Sequence, residues 1–290
     1  MSFRIFSFTI AALLFSVAAL APRSISAQVA STQDASAQIV SAPTAAAQTI
    51  SAQNASAQVA SAQFEGEVRF HAFEPDEPNS PTRTVQFFAT PDRILLQSNF
   101  RYRAFPGLDA DAFMVRNDRQ DFVFLSGSEQ AMQISKDEVQ GLANLIGRMQ
   151  GGNQGQSRSF DWDTRLEETG QTQQILGFRT EQFKVHEENS DRYVSVWLTD
   201  EIQIRWGMLQ DTWDQTLSSV IEIDMPIEVF MNRRSFPLQI DYYDGDRLIT
   251  RVEARQVDRR AVNPERFDIP EGARMIGIAD LMMNMMRQRR

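Results

Sequence analysis

The chain has 290 residues, 29 basic and 38 acidic side chains, a formal charge of −9, two histidines and no cysteine. The acid excess argues against a nucleic-acid backbone as partner and against general attraction to anionic lipid. The missing cysteine excludes disulfides, thiolate metal sites, a cysteine nucleophile and a lipid-modified N-terminal cysteine, and two histidines leave little material for imidazole chemistry.

Met1-Ser2-Phe3-Arg4 gives a short basic start, and residues 5–21 are uncharged and mostly apolar. Pro22 breaks the run, and Ser24-Ile25-Ser26-Ala27 offers a small residue for cleavage. That order predicts a secretory signal over 1–27. The run is slightly short for a membrane span, which takes about 20 residues, so the mature chain is expected to be exported, soluble in the periplasm or beyond, and without a permanent membrane span.

Residues 28–63 are a low-complexity tail within a decaying repeat of four decapeptides, Ile25–Asp34, Ala35–Thr44, Ala45–Asn54 and Ala55–Phe64. Gln recurs at 28, 33, 38, 48, 53, 58 and 63, with Pro43 in the missing place. A period of five matches neither strand nor helix. Ala, Ser and Gln bury too little apolar surface to offset chain entropy, so a solvated linker is expected. Units such as Ala35-Ser36-Ala37-Gln38 resemble the cleavage site, which makes staggered processing a consequence to test. One domain is then expected over 64–290.

Strict alternation from Phe64 to Ala72 predicts a half-buried strand, with Phe64, Gly66, Val68, Phe70 and Ala72 on one face. Pro75, Pro78 and Pro81 force a loop. Strands are expected at 83–89 and 93–100, at 112–116 and 122–126 about Asn117-Asp118-Arg119-Gln120, and at 131–134. Ser135 with Glu138 is a capping box. Val139, Leu142, Leu145, Ile146 and Met149 follow at helical spacing, and 151–159 is a loop. Strands resume at 164–168, 172–176, 178–186 and 192–199. Residues 205–222 suggest an irregular helix, and a second short one follows Pro226. Residues 236–243 and 247–257 pair about Asp244-Gly245, read as a type I′ turn. Asn263-Pro264 turns the chain, Phe267-Asp268-Ile269-Pro270 docks as an edge segment, and 277–290 is helical and methionine-rich. About twelve strands with helical interruptions make an antiparallel α+β domain.

Several segments together resemble a bacterial exported family known only as a domain of unknown function, whose fold is similar to the outer-membrane lipoprotein carriers. They are Phe64-Glu65-Gly66-Glu67-Val68, Thr90-Pro91-Asp92-Arg93-Ile94, Thr172-Gln173-Gln174-Ile175-Leu176-Gly177-Phe178, Glu181-Gln182-Phe183-Lys184-Val185, Val194-Ser195-Val196-Trp197-Leu198-Thr199-Asp200-Glu201, Phe236-Pro237-Leu238 and Phe267-Asp268-Ile269-Pro270-Glu271-Gly272. The resemblance implies a curved antiparallel sheet wrapped as a half-open barrel, with helices across its concave face. It implies a cleft that holds acyl chains, and no catalytic motif.

The chemistry-bearing residues read blandly. His71 and His186 are isolated on strands. Asp241, Asp244 and Asp246 beside Gly245 have hairpin rather than calcium-loop spacing. Asp109 with Asp111, and Asp161 with Asp163, are solvated pairs. No nucleophile–base set, zinc motif or phosphate loop is present, so no enzyme, no cofactor and no metal are expected. Two apolar features remain. Trp197, Trp206, Met208, Leu209 and Trp213 are either core or ligand lining. Ile278, Leu281, Met282 and Met285 form one helical stripe, which is a lid, a core helix or a frayed end. The expected function is binding of a lipid or other acyl-chain ligand in the envelope. The alternative is a protein-interaction or sensor module with an envelope protein as partner.

Overall fold

Alternating apolar residues, turn dipeptides and a scarcity of long helical periods build a sheet. The computed structural model describes residues 63–76, 81–105, 108–139, 141, 165–187, 190–215, 231, 235–280 and 283. The expected signal and nearly all of the linker lie outside these residues. So do the helix beyond Gly141, the 151–159 loop, Asp161 and Asp163, the continuation past Gln215, and Leu281, Met282 and Met285. After Pro226, Met231 is described; it is helical and buried.

Among the described residues twelve strands form one sheet: β1 (Gly66–Phe73), β2 (Arg83–Ala89), β3 (Arg93–Phe105), β4 (Leu108–Arg116), β5 (Asp121–Ser126), β6 (Gln130–Ser135), β7 (Leu166–Ile175), β8 (Phe178–His186), β9 (Arg192–Thr199), β10 (Phe236–Asp244), β11 (Arg247–Arg259) and β12 (Arg274–Met275). Their order is β12-β6-β5-β4-β3-β2-β1-β11-β10-β9-β8-β7. Pairing is antiparallel except between β12 and β6. Neighbours in sequence are mostly neighbours in the sheet, as short turns require. The non-local joins are β1 with β11, which unites the two halves, and β12 with β6. Register shifts occur in the β1–β11, β3–β4, β7–β8 and β9–β10–β11 ladders. Such irregularities bend strands, which fits a curved sheet. Among the described residues no helix is long and apolar enough to cross a membrane.

Alternation divides the sheet into two faces. Val68, Phe87, Ile94, Phe113, Phe122, Met132, Val196, Leu198, Phe236 and Val252 belong to one apolar cluster. Met208 and Leu209 of α1 (Met208–Gln215), Val139, and the partly buried Ile276 and Ile278 pack with it. Phe88, Leu95, Met114, Val123 and Leu125 point the other way and pack with Val262, Phe267, Ile269 and Ala273.

Four local expectations need correction. The strands expected at 93–100 and 112–116 run on to Phe105 and start at Leu108, so Asp109 and Asp111 stand on β4, and half-buried Asp111 accepts from the Gly127 N–H at 3.0 Å rather than being simply solvated. The strands expected at 164–168 and 172–176 are one strand, β7. It continues through Thr169-Gly170-Gln171 because an irregularity absorbs the extra residues and the Thr169 hydroxyl donates to the Gln182 carbonyl at 3.1 Å. The β10–β11 connection is Gly245-Asp246, with Asp244 paired to Arg247. Only Gly245, at φ 59°, has positive φ there, a glycine-first two-residue turn rather than type I′. Phe267 is not on a sheet edge. It ends a short 3-10 helix (Pro264–Phe267) and is buried on the second face. The edge segment is β12, seven residues later.

Candidate functional site

The site is the helix-bearing face around the start of α1. Phe70, Phe87 and Phe236 reach it by strand alternation. The Phe87 ring lies 5.0 Å from Phe236 and 6.1 Å from Trp206, and Phe236 lies 6.0 Å from Phe70, all tilted. A second aromatic group, Phe113 with Phe122 and Phe124 at 6.0 and 4.9 Å, continues the layer toward β5. Tilted rings at these separations contribute about 0.5–1.5 kcal/mol per pair beyond area burial.

The β4–β5 turn positions α1. The Asn117 side-chain oxygen accepts from the Met208 N–H at 2.8 Å, capping the helix from a distant element. Gly207, at φ 52°, lets the chain pass the Asn117 amide; a Cβ there would stand 2.5 Å from the amide oxygen. Lys136 pairs with Asp211 at 3.0 Å. The capping box forms as the sequence predicts. The Glu138 carboxylate accepts from the Ser135 N–H at 2.8 Å, which holds its pKa below the usual range. Met208 and Leu209 are buried on the site face. Thr212, one turn further, is buried, and its hydroxyl has no hydrogen-bond partner among the described residues.

The structure therefore brings Trp206, Met208 and Leu209 together. Trp213 lies in α1, with its side chain outside the described residues. Trp197 is separated from them. On β9 the residues Val194, Val196 and Leu198 enter the site-side cluster, so Trp197 points to the opposite face, with Gln182 and Gln239 as ladder neighbours. Closeness in sequence suggested one aromatic group; the period of two splits it. Ile278 packs partly buried against the site-side cluster. A helix starts there, and Asp280 accepts from the Gly277 N–H at 3.1 Å.

Sequence reasoning missed Phe70, Phe87 and Phe236 as a joint aromatic floor and Asn117 as the cap of α1. The phenylalanines were legible as inward positions, but their meeting depends on the β1–β11 join. Asn117 was visible only as a turn residue.

The opposite face sets ion-paired buried charges beside its apolar cluster. Arg116 and Asp121 form a buried bidentate pair at 2.7 Å, and Gln133 donates to Asp121 at 2.6 Å. Glu67 accepts from Arg69 at 3.0 Å, Gln86 at 3.0 Å and Arg260 at 2.6 Å. Burial pushes the Glu67 carboxyl up, but the hydrogen bonds and charges of Arg69 and Arg260 outweigh it and leave the pKa below the usual range. The segment after β11 is thus fastened across this face. The Val262 N–H donates to Glu65 at 3.3 Å, and Arg266 lies 4.6 Å over the Phe88 ring. The Arg274 and Ile276 N–H groups donate to Glu129 and Ala131 carbonyls at 2.8 Å. His186 meets Glu167 at 2.9 Å and stands beside the stacked pair Tyr193–Tyr243, whose rings are 4.7 Å apart. Among the described residues, no group of three His, Asp or Glu side chains is arranged to hold a metal.

No family model and no curated protein matches this chain. Among solved structures it is similar to PNGF-II in two crystal forms. One is 11% identical over 73% of this chain, with TM-score 0.37, and the other 12% over 76%, with TM-score 0.36. The chain spans about a third of PNGF-II, 31% and 32% of the two matched chains. It is also similar to an uncharacterized conserved protein from Thermus thermophilus, at 6% identity and TM-score 0.37, over 73% of this chain and 91% of that one. Superposition at this level assigns neither fold nor activity.

Proposed function

We propose that this is an exported, non-catalytic envelope protein that binds an apolar, lipid-like ligand between the helix-bearing face of the sheet and the helices over it. In this reading the curved sheet wraps as a half-open barrel, with α1 and the helix starting at Ile278 across its concave side, as in the outer-membrane lipoprotein carriers. The observation that carries it is the aromatic floor of Phe70, Phe87 and Phe236 meeting Trp206 and α1. A layer of rings covered by short helices can open without unpairing a strand. Trp206, Leu209 and Ile278 are the lining residues in this reading; Leu281, Met282 and Met285 enter it only through their helical spacing in the sequence and lie outside the described residues.

Titration of the delipidated mature chain with a fluorescent long-chain fatty acid tests this. Saturable binding that quenches tryptophan emission and is displaced by an unlabelled acyl chain is expected. Truncation after Gly277 should alter that affinity and raise binding of a hydrophobic dye while the sheet stays folded. Absence of saturable binding refutes the reading.

The second reading is an envelope interaction or sensor module without a small-molecule ligand. The half-buried Tyr193–Tyr243 stack, with Lys184 5.3 Å from the Tyr193 ring on the face away from α1, favours it. A stoichiometric protein partner lost on Tyr193→Ala would support it.

A further inference from the structure

The two ends of the sheet differ. At one end β12 lies alongside β6. At the other, β7 is the last strand in the order among the described residues, and most of its residues are exposed. Edge strands are ordinarily blunted by charge, proline or bulges. The first half of β7 follows that rule, with Glu167, Glu168 and an irregularity between Glu168 and Thr172 where Gly170 takes φ 68°. The second half does not. Residues 169–178 carry no charge and no proline.

The β7–β8 turn fixes which backbone groups face outward. Leu176 and Gly177 have φ 53° and 86°, and Ile175 pairs with Phe178. In such a two-residue I′ turn the closing pair exchanges both hydrogen bonds, and alternate pairs follow. Ile175 and Gln173 therefore bond to β8, while the N–H and C=O groups of Thr172 and Gln174 point away from it.

We propose that residues 171–175 are a self-association edge at which two copies of this chain pair antiparallel about Gln173. This two-fold register is self-complementary. Thr172 faces Gln174 of the second copy and exchanges hydrogen bonds with it. Gln173 faces its own copy, and the exposed Leu176 comes opposite Gly170, where no side chain stands. Registers centred nearer the start of β7 set Glu167 and Glu168 against their copies, a like-charge opposition that destabilises pairing. Five paired residues bury less than the roughly 1,000 Å² of a stable interface, so the dimer is weak and concentration-dependent.

The cysteine-free chain makes the test direct. Across a non-hydrogen-bonded antiparallel pair the Cα atoms are about 4.5 Å apart, within the span of a disulfide. Gln173→Cys in the full mature chain is expected to form a disulfide dimer at least about tenfold faster than Gln97→Cys, an exposed position on β3 inside the sheet. Adding Gln174→Pro removes the outward donor and should abolish that excess, with circular dichroism and melting point retained. If proline disturbs folding, Gln174→Lys serves, placing on the edge the kind of charge that blunts natural edge strands. Equal rates for the two cysteines, or an excess that survives in a folded Gln174 variant, overturns the proposal.

Discussion

Gly66 joins the two halves of the sheet, and its replacement by alanine probes that join. Gly66 pairs with Arg259 of β11 and Ala89 of β2 and has φ 155°. An added Cβ would stand 2.0 Å from the Asp258 carbonyl oxygen and 2.9 Å from the Phe64 ring. The oxygen is backbone, so no rotamer change relieves the contact; β1 and β11 must separate by about 1 Å. Overpacking of this kind costs about 1–3 kcal/mol, and a disturbed ladder hydrogen bond adds about 0.5–1.5 kcal/mol. A loss near 3 kcal/mol lowers the melting temperature of a domain this size by about 6–12 °C. Gly170→Ala is the control, because φ is 68° but nothing lies within 4 Å of its Cβ position. Strain alone should cost it about 1–2 kcal/mol. Thermal melts by circular dichroism compare the two. A Gly66→Ala loss equal to or smaller than that of Gly170→Ala refutes the β1–β11 register.

Leu176→Asn should stabilise the fold by about 0.5–1 kcal/mol, since asparagine tolerates the positive φ that Leu176 holds while 47% exposed; denaturant titration measures it. Leu209→Ala should cost about 2–5 kcal/mol if α1 is packed on the sheet as described, a loss of midpoint visible in the same titration. Glu67, with its folded pKa depressed, contributes stability that is full above its unperturbed value of 4.5 and is lost as pH falls through the depressed value. Glu67→Gln should therefore flatten the acid limb of the stability profile, and an unchanged limb contradicts the assignment. Deleting residues 28–63 should leave the melting point almost unchanged, and N-terminal sequencing of the exported protein should find a start at Gln28 or within the repeats.

The period of two made most of the sheet legible. The bounds of β2, β8 and β9 follow directly from alternation between turn residues, and the faces of β1 and β9 follow with them. Long-range facts were not legible. The pairing of β1 with β11 depends on residues some 190 apart, and nothing local encodes it. Two readings failed for local reasons. The polar stretch around Gly170 looked like a break because the irregularity that carries β7 across it has no hydrophobic signature. Asp244-Gly245 matched a favoured turn pair, yet the register places the turn one residue later. At the site, Leu209 and Trp206 were visible as apolar mass. Whether Trp197 joined them depended on strand parity, which overrides proximity in sequence. The burial of Glu67 was not legible either, because Arg260, from the segment after β11, closes over it from 193 residues away.

Native mass spectrometry of the mature protein, extracted mildly from its host envelope, tests the central claim most directly. The account predicts a co-purifying acyl species at up to one per chain, released by delipidation and reduced when Leu209 is replaced by alanine in a chain that remains folded. A bare chain, or one carrying only a stoichiometric protein partner, would contradict it.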